Sequence, residues 1–155
     1  HINYNVRGKK VFILGAGGVV SSIILALKKA GASEIVLSNR TKEKAENLKK
    51  IYSYLKVVDW GDIPDSNMII NATSLGLKED DEIKLNYADI GSNKLFYDII
   101  YNPSETKFLS KAKQFGNQIE NGKAMFAYQA QLAFEIWHGI KPAVDKKILK
   151  LLEND

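Results

Sequence analysis

The chain has 155 residues, 45% hydrophobic and 26% charged, which is ordinary for a globular protein and enough for one domain with a real core. Lys+Arg exceed Asp+Glu by only 22 to 18, a net charge of +4, and the lysines are scattered in pairs (Lys9-Lys10, Lys28-Lys29, Lys49-Lys50, Lys146-Lys147) rather than gathered in the basic stripe with aromatic platforms that nucleic-acid binding needs. Zero cysteines exclude disulfides and thiolate metal sites, no apolar run reaches the roughly 20 residues that span a bilayer and no signal peptide is visible, so the expectation is a cytoplasmic protein without nucleic-acid or membrane partners and without a metal.

The first element is also the most informative. Val11-Phe12-Ile13-Leu14 is a continuous apolar run, the mark of a strand (Lys10–Leu14) buried on both faces. It runs directly into Gly15-Ala16-Gly17-Gly18, where glycines permit a sharp turn and close approach of a ligand to the backbone. An apolar helical pattern follows (Val20, Ile23, Ile24, Leu27), predicting a helix over Val19–Ala30. A helix that opens at such a turn offers free N–H groups and a positive dipole end to a pyrophosphate. The dinucleotide fingerprint wants a third glycine or alanine at position 20, and this chain has Val20. That glycine serves helix–strand packing, so its replacement leaves the phosphate site in place.

The second strand, Glu34–Ser38, ends where a ribose-reading residue belongs, about 20 residues on. A cofactor with a free 2′-hydroxyl is met there by Asp or Glu. This chain has Ser38-Asn39-Arg40-Thr41, with Lys44 three residues later. A carboxylate would repel a 2′-phosphate, whereas a guanidinium holds one through two parallel hydrogen bonds. The expectation is therefore NADP rather than NAD. Asn39 and Thr41 can add neutral bonds, and Thr41 is placed to N-cap the helix predicted over Lys42–Tyr54.

The remaining predicted strands are Lys56–Asp59, Met68–Asn71, Lys94–Ile99 and Asn117–Glu120, with helices over Glu105–Gln114, Lys123–Trp137 and Val144–Leu152. Strand–helix alternation means right-handed crossovers and a parallel sheet. Six strands with the glycine turn after the first predict a doubly wound Rossmann-type α/β fold of order 3-2-1-4-5-6, with C-terminal helices and with ligands at the strand C-terminal ends. The acidic stretch from Lys78 to Tyr87 (Glu79, Asp80, Asp81, Glu82) has no regular ligand spacing and is expected to be a mobile solvated loop. After the fourth strand, Ala72-Thr73-Ser74-Leu75-Gly76 lets a flat ring approach the backbone. After the fifth comes Ile99-Ile100-Tyr101-Asn102-Pro103, and Asn121-Gly122 opens the long helix. On that helix Met125, Leu132 and Ile136 form an apolar stripe, expected to be core or interface, and Gln129 could face the cleft.

Taken in series, GAGG, SNRT-x-x-K-A, NATS-x-G, YD-x-x-YNP-x-ET and G-x-x-M-x-x-x-Q-A-x-x-A-F-x-x-W-x-G resemble the NADP-binding domain of the shikimate dehydrogenase family, quinate/shikimate dehydrogenases included, from about Arg7 to the end of the chain. The resemblance implies reversible hydride transfer between NADP(H) and the 3-dehydroshikimate/shikimate pair, in aromatic biosynthesis. Position by position, it implies that Ala16, Gly17, Gly18 and Val19, beside Gly15, form the diphosphate loop. It makes Asn39, Arg40, Thr41 and Lys44 the clamp on the adenosine 2′-phosphate, and it puts Thr73 and Ser74 along the ribose and nicotinamide end. Ile99 matches a residue packed on nicotinamide, Gly122 a backbone contact to its amide, and Tyr101 and Gln129 residues that touch the substrate.

The family's preceding substrate domain supplies a catalytic Lys and Asp, and this chain starts just before its first strand. All 155 residues are therefore expected to form the cofactor domain of a two-domain enzyme, with no catalytic residue of its own, binding NADP but turning over nothing. Asp98 is expected to tie down a local loop. Phe126, Phe134, Trp137 and Ile140, which would lean on the absent domain, are expected to be partly exposed and to favour self-association, for instance as a homodimer. The alternatives are the NADP domain of another oxidoreductase, such as quinate dehydrogenase or a glutamyl-tRNA reductase, and a non-catalytic nucleotide-binding module.

Overall fold

The structure is a computed structural model that describes residues 2–78 and 80–152. Among these residues six strands form one parallel sheet: β1 (Lys10–Leu14), β2 (Glu34–Ser38), β3 (Lys56–Val57), β4 (Met68–Asn71), β5 (Leu95–Asp98) and β6 (Gln118–Glu120). The order is β3-β2-β1-β4-β5-β6, as the alternation predicts. Between the strands run α1 (Val20–Lys29), α2 (Lys42–Ile51), α3 (Tyr87–Ile90) and α4 (Lys107–Gln114), and α5 (Lys123–His138) and α6 (Lys146–Leu151) follow β6.

The apolar run of β1 sits at the centre of the sheet because both its faces have something to bury. Successive side chains point to opposite sides. Val11 and Ile13 join Ile24 and Leu27 of α1 and Ala45 of α2 in one core layer. Phe12 and Leu14 join Ile69, Phe96 and the α4 residues Phe108 and Leu109 in the other. Each fully buried side chain of this size contributes about 1.5–3 kcal/mol. On the second face the rings of Phe96 and Phe108 pack with centroids 5.2 Å apart, and Tyr87 stacks on Phe96 at 5.7 Å.

The element boundaries differ from expectation where side chains redirect the chain. β3 has two residues, not the four of Lys56–Asp59. The Val58 N–H still donates to Leu37 O (3.1 Å), but Asp59 leaves the ladder. Its carbonyl accepts from Ser38 Oγ (3.0 Å), its carboxylate pairs with Lys42 (2.7 Å), and Gly61 turns the chain at φ +106°. β5 ends at Asp98 rather than Ile99, and α2 stops at Ile51, short of Tyr54. The helix expected from Glu105 begins at Lys107, where the Thr106 hydroxyl caps it by accepting from the Leu109 N–H, and α6 begins after Asp145, which accepts from the Lys147 and Ile148 N–H groups.

The acidic stretch is solvated as expected at Asp80 and Glu82, which are exposed, but it is also tied to the body of the fold. Glu82 pairs with Lys111, Ile83 is buried among the β5 and α4 side chains, and the chain then forms α3, which the sequence reading did not anticipate. Glu79 lies outside the described residues. Of the two expectations for the α5 stripe, core or interface, the first does not hold at its C-terminal half. Leu132 is 53% exposed and Ile136 80%, so this side of the helix is surface, not core. Trp137 and Ile140 are exposed as expected, as are Phe126 and Phe134 in part. Among the described residues no helix is long and apolar enough to cross a membrane, and no group of three or more His, Cys, Asp or Glu could hold a metal ion.

Candidate functional site

The strand register lines up four chain ends. Ser38 of β2 stands beside Leu14 of β1, Leu14 beside Asn71 of β4, and Asn71 beside Asp98 of β5. The chain leaves β1 toward β2 on one side while β4 continues the sheet on the other, and a crevice opens at such a switch point. A cavity of about 250 Å³ lies there, between the glycine turn, the segment after β2 and the segment after β4. A second, of about 470 Å³, shares Ala72, Thr73 and Ser74 with the first and extends over Ile99 and Tyr101 after β5. Other concavities, of about 440 and 560 Å³ along β6 and the N-terminal segment, touch neither the glycine turn nor the cations after β2.

The glycines of the turn answer to different demands. Gly15 adopts φ +112°, and a Cβ on it would stand 2.5 Å from Ala72 O, so the close packing of the chain just past the paired ends of β1 and β4 itself demands glycine. Gly17 and Gly18 have no left-handed φ, and a Cβ on either would meet nothing within 4 Å. The chain's own atoms give no reason for glycine there. Gly15, Ala16 and Gly17 line the first cavity. Val19 is the N-cap of α1, and its side chain packs on the core, so only its backbone can serve a ligand. The α1 N-terminus has no side-chain cap and no acidic residue in its first turn, which leaves its positive end uncompensated.

After β2, Asn39, Arg40 and Lys44 line the same cavity. Lys42 is held by Asp59, which raises its pKa through the hydrogen bond and the charge of that partner. Among the described residues no ion pair engages Arg40 or Lys44. Thr41 occupies the N-cap position of α2, but its hydroxyl makes no capping bond, contrary to the expectation. Instead its carbonyl accepts from Asn39 Nδ2 (2.8 Å) and the Lys44 N–H (3.0 Å), so Asn39 braces the segment that presents the two cations.

The floor of the cleft is a buried polar network. Asn71 Nδ2 donates to Asp98 Oδ1 (3.0 Å) and Leu75 O (3.0 Å), while Asn71 Oδ1 accepts from the Thr73 N–H (3.0 Å) and hydroxyl (2.7 Å). The Thr73 hydroxyl also accepts from the Leu75 N–H (3.0 Å). Thr73 is thus committed to shaping the turn, while Ser74 is exposed at the junction of the two cavities. Asp98 further accepts from Thr106 Oγ1 (2.7 Å) and the Ile100 N–H (3.0 Å). Burial pushes the Asp98 carboxyl above the usual carboxylate range, against the pull of these donors. It ties the β5 loop down, as expected.

On the β5 side, Ile99 and Tyr101 line the second cavity, and the Tyr101 ring stacks on Phe126 of α5 with centroids 4.8 Å apart. Gly122 is buried where α5 begins. Its N–H donates to Ile100 O (3.0 Å), and a Cβ would stand 2.0 Å from Ile99 O, so glycine is needed for α5 to start against β5. Gln129 is exposed on α5 one turn past Phe126 and lines neither cavity. The sequence reading missed Trp60, which lines the first cavity together with the glycine turn and Arg40. Its signal was available: a tryptophan directly after the third strand, on the edge where ligands collect.

Sheet order, glycine turn and crevice together define a Rossmann-type α/β protein. The family described as shikimate / quinate 5-dehydrogenase matches residues 1–103, and the shikimate 5′-dehydrogenase C-terminal domain matches residues 124–146. The chain belongs to the shikimate / quinate 5-dehydrogenase family. It is 58% identical over 149 residues to the shikimate dehydrogenase (NADP(+)) of Pelagibacter ubique, a match covering 96% of this chain and 56% of the relative. The crystal structure of shikimate dehydrogenase from Aquifex aeolicus superposes with a TM-score of 0.86 at 38% identity, over 99% of this chain and 56% of that one. A shikimate dehydrogenase solved in complex with NADP+ gives a TM-score of 0.83 at 31% identity, over 95% and 54%. The chain thus spans just over half the length of the relatives it matches.

Proposed function

We propose that this chain is the NADP-binding domain of a cytoplasmic shikimate dehydrogenase, which interconverts 3-dehydroshikimate and shikimate. The observation that carries the proposal is the pair Arg40 and Lys44, both lining the cavity that also holds the glycine turn, with no ion pair to either among the described residues. A 2′-phosphate is the group that distinguishes NADP from NAD, and paired cations in a fixed segment are what hold it. Gly17, which lines the cavity, and Gly18 beside it, both with free space where a Cβ would stand, suit the close approach of a diphosphate to the helix N-terminus. The names of the relatives support the same cofactor.

When bound, NADP(H) supplies or accepts the hydride. The role of this chain is to hold and orient it. Asn39, Arg40, Thr41 and Lys44 take the adenosine phosphate, and Gly15, Ala16, Gly17, Gly18 and Val19 present the diphosphate loop. We assign Thr73, Ser74, Ile99 and Gly122 to the nicotinamide end, and Tyr101 and Gln129 to the substrate. Among the described residues, no carboxylate, ammonium or imidazole lines the second cavity. A proton must nonetheless move to or from the substrate oxygen within hydrogen-bond reach. We assign that step to a Lys and an Asp of the remaining part of the longer protein, which is expected to cover the exposed Leu132, Ile136, Trp137 and Ile140. The chain by itself is then inactive and, with this face uncovered, prone to pair with a second copy.

Calorimetric titration with NADP+ and NAD+ tests the cofactor: NADP+ binds at least about tenfold more tightly, the worth of one charge-assisted contact. Equal affinity would remove the proposal. Shikimate, quinate and NADP+ are then mixed with the chain alone and the absorbance of reduced cofactor is followed. No turnover is expected, and clear turnover would contradict the assignment of the proton step elsewhere.

A further inference from the structure

We infer that Trp60 is the platform on which the adenine of the cofactor stacks, a contact shared by NADP and NAD that leaves the choice between them to Arg40. The inference rests on the nucleotide occupancy proposed above. Trp60 lines the same cavity as Arg40 and Lys44. It follows β3 while Arg40 follows β2, and the two strands are neighbours, so both residues stand on adjacent strand ends. With a diphosphate at the α1 N-terminus and a 2′-phosphate at Arg40, the base belongs on this outer side of the crevice.

The turn that carries Trp60 is fixed to both neighbours. Ser38 Oγ donates to Asp59 O (3.0 Å), Lys42 at the start of α2 pairs with the Asp59 carboxylate (2.7 Å), and the Asp62 N–H closes the turn on Asp59 O (3.2 Å). The indole is thereby held close to the segment that presents Arg40, and little ordering is needed on binding. Trp60 is 36% exposed, and among the described residues its ring stacks on no other ring. An indole that lines the cavity without a ring partner suits a purine, because stacking on an aromatic ring reads the base and is indifferent to a distant phosphate.

The test measures NADP+ and NAD+ affinity for the unmodified chain and for Trp60→Ala and Trp60→Phe. Trp60→Ala weakens both cofactors by the same factor, about 5- to 150-fold, and Trp60→Phe restores most of the loss. In a Trp137→Phe background, where Trp60 is the remaining one of the two tryptophans, adenosine 2′,5′-bisphosphate quenches the fluorescence and nicotinamide mononucleotide does not. Unchanged affinity in Trp60→Ala overturns the inference. So does a loss confined to NADP+, which would mean that Trp60 merely holds Arg40. Failure of the unmodified chain to bind either nucleotide would instead overturn the proposed function and this inference with it. Circular dichroism of the variants confirms that this surface substitution leaves the fold intact.

Discussion

The amide of Asn71, at the end of β4, donates to the carboxylate of Asp98, at the end of β5, across 3.0 Å of fully buried space. The two residues are register partners, so one hydrogen bond locks the ends of adjacent strands at the floor of the cleft. Asp98 also receives Thr106 Oγ1 and the Ile100 N–H, and Asn71 receives Thr73. Replacing Asp98→Asn puts an amide donor among these donors and leaves at least one without an acceptor. The expected cost is about 2–4 kcal/mol, because a buried unsatisfied group loses its full desolvation penalty. Urea denaturation followed by circular dichroism measures it. A loss below about 0.5 kcal/mol, the range of neutral surface changes, would show that the network is not the brace described here.

Two glycines in one turn should fail in different ways. Gly15→Ala must accept φ +112° and a Cβ 2.5 Å from Ala72 O. It should destabilise the chain by about 3 kcal/mol or more, combining backbone strain with a steric clash. Gly17→Ala meets no atom within 4 Å and needs no unusual φ. Its stability should change by no more than about 0.5 kcal/mol, while NADP+ affinity drops. Thermal melting beside calorimetric titration separates the two effects. Normal NADP+ binding by Gly17→Ala would count against diphosphate contact at this turn.

Arg40→Ala tests the phosphate clamp directly. Arg40 is exposed and, among the described residues, free of ion pairs, so the fold should not notice its removal. NADP+ binding should weaken by about 1.5–3 kcal/mol, the worth of charge-assisted hydrogen bonds. NAD+ binding should stay as it was. Titration of both cofactors against the variant gives the comparison, and an equal loss for both would assign Arg40 to some feature they share.

Alkaline pH should find a weakness in the core. Burial, with the charges of Glu120 and Asp98 behind it, pushes the Tyr97 phenol from 10.0 to about 12. Burial likewise raises Tyr87, helped by Glu82 and Asp98. Between the unfolded and folded pKa values the folded chain holds a proton that the unfolded chain has released. Stability therefore falls as pH rises above about 10, by about 1.4 kcal/mol per pH unit for each such tyrosine. Urea midpoints measured upward from pH 9 should decline along that slope. Tyr97→Phe, which removes one titrating group, should make the decline shallower, and an unchanged slope would point to other groups.

Much of this molecule is legible in its sequence because two strong regularities set it. The apolar run Val11–Leu14 had to be buried on both faces, and strand–helix alternation left few topologies, so the sheet order followed. The glycine turn and the Arg40 segment were legible for a similar reason, since the fold rule puts such segments at strand ends whatever lies between them.

Tertiary contacts alone decided the rest. β3 is short because Ser38 and Lys42, distant in sequence, capture Asp59. The acidic stretch is anchored because Lys111 pairs with Glu82. Thr41 and Thr73 look alike as small hydroxyl residues after strands, yet the Thr73 hydroxyl is taken up by Asn71 and the N–H of Leu75, whereas that of Thr41 caps nothing. Local pattern specifies what a segment can form. Which partners satisfy its polar groups depends on residues brought together only when the sheet assembles, and so Trp60 is found beside Arg40 only in the folded chain.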